Sequence, residues 1–72
     1  MDISSKVRMA LAATGKLQNE LMFPLGMKSK QTLSNKFAGN RWSAEDLVNV
    51  AGALGCDIAF ILPNGEKISL KG

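Results

Sequence analysis

Four glycines, Gly15, Gly26, Gly39 and Gly55, stand where four successive helical patterns stop. After the last of them the hydrophobic period changes from about 3.6 to about 2. That punctuation commits the chain to short helices followed by a pair of strands. Ile3, Val7 and Leu11, with Ala10 and Thr14 on the same stripe, predict a first helix over about residues 4–14, and Asp2 or Ser4 can cap it. Leu17, Leu21 and Leu25 predict a second over about 17–25. Ser29 is the expected N-cap of a third, over about 29–38, which buries Leu33 and Phe37. The fourth, over about 43–54, has the best-marked start. Ser43 and Asp46 have the spacing of a capping box, and Glu45 and Asp46 suit the positive end of the helix dipole. Leu47, Val50, Ala51 and Leu54 form its buried stripe.

Residues 56–62 are rich in β-branched and aromatic side chains, Pro63-Asn64-Gly65 makes a turn, and 67–70 alternate polar with apolar. A hairpin over about 56–70 follows, with two competing registers. A two-residue Asn64-Gly65 turn pairs Ile61 with Ile68. A type I turn with Pro63 at its second position and Gly65 as a left-handed bulge pairs Phe60 with Ile68, and Ile58 with Leu70. The second is preferred, because it puts Ile58, Phe60, Leu62, Ile68 and Leu70 on one face that can pack on the helices. Pro24 is discordant within the second helix, since it removes the bond to the Glu20 carbonyl and disfavours helical geometry at Phe23. Either that helix ends near Met22, or it kinks and exposes Met22 and Phe23.

The 72 residues make one mainly α domain, 1–72, without repeats, low-complexity tracts or linkers. No histidine and a single cysteine exclude nearly every metal site, every histidine-based catalytic arrangement and any internal disulfide. The expectation is therefore no enzyme and no cofactor. Cys56 reads as a small core hydrophobe and the four methionines as gap-fillers; Asp57 and Glu66, alone in the hairpin, do not indicate catalysis. No apolar run approaches the roughly 18–20 residues that span a bilayer, and the start lacks the apolar region of a signal peptide. A cytoplasmic protein without a membrane partner is expected.

Charge is unevenly spread. Residues 1–20 sum to +1, residues 21–44 to +4 and residues 45–72 to −2, so the middle third holds the whole excess. It carries Lys28, Lys30, Lys36 and Arg41 and no acid. Such a segment is either a solvated face or a surface that attracts a polyanion such as nucleic acid.

Two short helices joined by a tight glycine-containing connection describe a helix-turn-helix. Gly15-Lys16-Leu17-Gln18-Asn19-Glu20-Leu21, then Leu25-Gly26-Met27, then Thr32-Leu33-Ser34-Asn35-Lys36-Phe37-Ala38-Gly39, resembles the lambda-repressor-like (Xre/Cro) regulators. Downstream, Trp42-Ser43-Ala44-Glu45-Asp46-Leu47 and Ala53-Leu54-Gly55-Cys56 match that family's fourth helix. The resemblance covers about residues 4–57; some short bacterial and phage-type members end in a hairpin. It implies a four-helix helix-turn-helix domain followed by a β-hairpin, acting as a sequence-specific, repressor-like transcriptional regulator of double-stranded DNA. It also implies a phosphate contact at Gln18.

The residues agree with that implication. If Leu33 and Phe37 face the core, Lys30, Gln31, Ser34 and Asn35 face outward as candidate base-reading side chains, suited to guanine and adenine edges. Lys28, Asn40 and Arg41, in the flanking connections, are the further phosphate candidates. Each could instead be an ordinary solvent-facing residue, and Trp42 is expected to pack under the fourth helix. One small module reads few base pairs, so a homodimer on a palindromic site is expected. Its interface is assigned to the outward face of the hairpin, Ala59 and Ile61, with the fourth helix as the competing surface. The alternative function is a protein-interaction module, antitoxin-like or an anti-repressor partner, with the same fold as scaffold.

Overall fold

Side-chain caps set where the helices of the computed structural model begin, and left-handed residues set where they end; residues 1–71 are described. α1 (Ile3–Thr14) starts at Asp2, whose carboxylate accepts from the Ser5 amide at 3.0 Å and its hydroxyl at 2.7 Å. α2 (Lys30–Gly39) starts at Ser29, whose Oγ accepts from the Thr32 amide at 3.2 Å. α3 (Ala44–Leu54) starts in a reciprocal box. The Asp46 amide donates to Ser43 Oγ at 3.0 Å, and the Ser43 amide donates to Asp46 Oδ2 at 2.9 Å. Asp2 is thus the cap of α1, and Ser4 lies inside the first turn.

Each helix closes with the same doubly bonded motif. At α2 the Asn40 amide donates to the Phe37 carbonyl and the Arg41 amide to the Lys36 carbonyl. Gly15 and Gly55 take the left-handed position for α1 and α3. At α2 that position is Asn40, at φ 52°, the one described non-glycine residue with positive φ.

The expected second helix, 17–25, is not an α-helix. Only Gln18–Leu21 wind, as a single 3-10 turn, with the Glu20 carboxylate accepting from the Leu17 amide at 2.7 Å. Pro24 is the reason: it brings no N–H to the Glu20 carbonyl, and its ring disfavours continued helix at Phe23. The chain nonetheless turns on and closes in the same motif, with Gly26 donating to Phe23 at 3.0 Å and Met27 to Met22 at 2.8 Å. The 3-10 turn ends at Leu21 with Met22 as its cap; Met22 packs on the core while Phe23 is 94% exposed. The fold is therefore three α-helices and one 3-10 turn, not four α-helices.

Val7, Leu11, Leu21, Leu33, Phe37, Val50 and Leu54 form one core cluster, with Leu21 and Leu33 wholly buried. Leu47 only borders it. The Phe37 and Trp42 rings meet edge to face with centroids 5.0 Å apart. Beneath them lies buried Ser4, whose Oγ donates to the Phe37 carbonyl at 2.6 Å and accepts from Trp42 Nε1 at 2.9 Å. The Ser4 amide donates to Asn40 Oδ1 at 2.9 Å, tying the start of α1 to the end of α2.

Strands β1 (Ala59–Ile61) and β2 (Lys67–Ser69) pair Phe60 with Ile68 and Ile61 with Lys67, the register of the type I turn with a glycine bulge. The Gly65 amide donates to the Leu62 carbonyl at 2.9 Å, the Leu62 amide to the Glu66 carbonyl at 2.8 Å, and Gly65 has φ 90°. The apolar face does not pack on the helices as expected. Phe60, Ile68 and Leu70 remain 62%, 54% and 45% exposed, and only Ile58 and Leu62 are half-buried. Polar bonds close the base of the hairpin instead: Ser69 Oγ donates to Asp57 Oδ1 and Lys71 Nζ to the Cys56 carbonyl, both at 2.7 Å. The hairpin stands off the helices, and the described residues together measure 41 × 23 × 22 Å. Among the described residues no helix is long and apolar enough to cross a membrane.

Lys36 and Asp46 pair at 2.7 Å between α2 and α3. Burial works to raise the Asp46 pKa, but the Lys36 ammonium and the Ser43 amide and hydroxyl outweigh it and hold it below the ordinary 3.8. A folded pKa below the unfolded one stabilises above about pH 4 and is lost as pH falls through the lowered value. Asp46→Asn should therefore cost about 1 kcal/mol at neutral pH and progressively less as pH falls below the ordinary carboxylate range. Thermal melts of both proteins across that range check it; a constant difference at every pH would disprove the linkage.

Candidate nucleic-acid interface

The core residues of α2 orient its outer face. Leu33 and Phe37 point into the cluster, which leaves Lys30, Gln31, Ser34 and Asn35 exposed along the opposite side. Gln31 Nε2 donates to Asn35 Oδ1 at 3.0 Å, one helical turn away. That bond leaves Gln31 an acceptor oxygen and Asn35 both amide hydrogens. Side by side they make an acceptor–donor edge, the complement of the N6 donor and N7 acceptor that adenine shows in the major groove. Lys30, one residue before Gln31, adds a flexible cation of the kind that contacts guanine or phosphate.

The phosphate candidates differ in what they have free. Lys28 is exposed in the turn before Ser29. Arg41 is exposed and lies along Gly39, where an added Cβ would come 3.4 Å from its Cγ. With Met27, Thr32, Asn35, Lys36 and Gly39 it lines a shallow hollow of about 370 Å³ beside α2. Lys36 is occupied there by Asp46, so Arg41 is the hollow's available cation. Asn40 is largely committed: Oδ1 accepts from the Ser4 amide and Nδ2 donates to the Met1 carbonyl. Its structural duty is to hold the left-handed end of α2. Gln18 is half-buried at the first residue of the 3-10 turn. Of the hairpin residues, Ile61 is exposed and Ala59 half-buried.

Arg8 escaped the sequence analysis. Its guanidinium sits 4.9 Å from the centroid of the Phe37 ring, adding a positive charge beside the C-terminal half of α2. The signal was its spacing of four from Ser4, which places both on the side of α1 that meets α2.

Comparison with known proteins returns no match, whether to a family model, a curated protein or a solved structure.

Proposed function

We propose that this chain is a sequence-specific double-stranded DNA-binding regulator of the lambda-repressor-like kind, reading the major groove with α2. The single observation that supports this best is the outer face of α2: Lys30, Gln31, Ser34 and Asn35 exposed together and buttressed by buried Leu33 and Phe37. It lies within a segment, 21–44, that has four cations and no acid. Base edges are contacted by Lys30, Gln31, Ser34 and Asn35, while Lys28 and Arg41 neutralise phosphates on either side. Regulation then follows from occupancy of the site, as a repressor acts.

The test is a fluorescence anisotropy titration with mixed-sequence duplex DNA at two salt concentrations. Binding that weakens steeply with salt supports the proposal, and no salt-sensitive binding overturns it. Arg41→Ala and Lys28→Ala should each weaken binding to every sequence alike and make the log–log salt slope shallower by about one unit. An unchanged slope removes that residue from the phosphate set. A second reading, a protein-interaction module, is favoured by one observation: Phe23 is almost wholly exposed at the Pro24 corner.

A further inference from the structure

The hollow beside α2 adjoins the Gln31–Asn35 edge. Thr32, Asn35 and Gly39 stand at i, i+3 and i+7 along one side of the helix, and Asn35 belongs both to the hollow and to the edge. Much of the remaining lining is apolar. The Thr32 hydroxyl shares a hydrogen bond with Ser29 Oγ at 2.8 Å, within the cap of α2, so its methyl is the free end of the side chain. Met27 contributes a half-buried thioether side chain. Lys36, whose ammonium is held by Asp46, contributes its aliphatic stem. Gly39 adds no side chain, and Arg41 lies along it.

We propose that this hollow is a subsite for the C5 methyl group of a thymine next to the adenine that Gln31 and Asn35 read. The inference deepens the DNA-binding reading of α2 and rests on it. Base geometry decides which thymine is meant. Gln31 has its acceptor oxygen free for the adenine N6 amino group, and Asn35 has its amide hydrogens free for N7. The hollow, which Asn35 lines and Gln31 does not, therefore lies on the N7 side of that adenine. In the major groove, N7 of a purine and C5 of a pyrimidine both lie nearest their own strand's backbone. A methyl on the N7 side thus belongs to a thymine adjacent in the adenine's own strand, not to the thymine paired with it. Arg41, which also lines the hollow, is then placed on the side of that strand's phosphates.

Two other occupants suit the hollow less well. A phosphate inside it would meet Arg41, but also Met27 and the Thr32 methyl, which satisfy none of its oxygens. 5-Methylcytosine carries the same methyl group. It turns an N4 amino donor toward Asn35, however, where donors are what is free, whereas thymine turns its O4 acceptor.

The test starts from the preferred site selected out of random duplexes, with the adenine identified as the base at which Gln31→Ala relaxes discrimination. Each thymine of the site is replaced singly by deoxyuridine, which removes the methyl and keeps the hydrogen-bonding groups, and affinity is read by fluorescence anisotropy. The thymine adjacent to that adenine on its own strand should lose about fourfold, the worth of one buried methyl group, while the adenine's partner stays within about twofold. Thr32→Ser keeps the hydroxyl and removes only the side-chain methyl, so it should bind the thymine and uracil sites within about twofold of each other. Thr32 is exposed, and circular dichroism of the variant should be unchanged. 5-Methylcytosine at the same position should bind clearly less tightly than thymine. With a site that is selected and bound, four results would each overturn this inference alone. They are no thymine beside the adenine, uracil there without loss, a uracil loss equally large in Thr32→Ser, or 5-methylcytosine as tight as thymine. No binding to any duplex would overturn the DNA-binding reading and this inference with it.

Discussion

Phe37→Ala should remove about half or more of this protein's folding stability. A chain of 72 residues has a total stability of about 4–11 kcal/mol. Truncating a buried phenylalanine costs about 3–5 kcal/mol in lost transfer energy and residual cavity. Here the loss extends further. The ring is 3% exposed at the centre of the cluster, supports the Trp42 edge-to-face contact and lies under the Arg8 guanidinium. The aromatic pair alone adds about 0.5–1.5 kcal/mol. At roughly 4–8 °C per kcal/mol for a domain this small, the melting temperature should fall by 15 °C or more. Thermal melts and urea titrations followed by circular dichroism check it. Leu47→Ala, at the border of the core, is the comparison and should cost distinctly less. Equal losses would mean that Phe37 is not the keystone its contacts describe.

Phe37 also shows how much of the fold was legible beforehand. Its burial follows from spacing to Leu33, and the caps Ser29 and Ser43 follow from side-chain chemistry, because these signals are local. The hairpin register was legible for the same reason. The choice between turns depends on Pro63, Asn64 and Gly65, which are adjacent in sequence. Where the hairpin sits was not legible. That Phe60 and Ile68 share an apolar face does not say what covers the face, and helices were the nearest candidate. The bonds that close the base of the hairpin join Asp57 to Ser69 and Cys56 to Lys71, pairs too far apart for pattern to reveal. The second helix failed at a residue that had announced itself: Pro24 interrupts a leucine spacing that otherwise reads as helix. Ser4 was the least legible, since a serine near a helix start suggests a cap. Its role depends on Trp42 arriving 38 positions away. In the candidate interface, exposure of Lys30, Gln31, Ser34 and Asn35 followed from helical periodicity. The diversion of Asn40 and Lys36 into internal bonds did not, because each depends on a partner from another element.

The bond between Gln31 and Asn35 makes a sharper prediction about DNA than either residue would alone. Gln31→Ala and Asn35→Ala should each cost about 1–3 kcal/mol on the preferred site, a loss of roughly 5- to 150-fold. Each should relax discrimination at one base pair while leaving mixed-sequence binding nearly unchanged. The two amides act as one edge, held by a 3.0 Å hydrogen bond, so removing either leaves the other without its orientation. The double variant should therefore lose clearly less than the sum of the single losses, with a coupling of at least about 0.5 kcal/mol. Both positions are exposed and helical, where alanine is a good substitute, so thermal stability should stay level or rise slightly. Selecting the preferred site from random duplexes, then titrating the four proteins against it and its single-base variants, measures every quantity in the cycle. Strict additivity would show that the amides contact DNA independently. A uniform loss on all sequences would move them from base edges to the backbone, and the sequence-reading role of α2 would have to be given up.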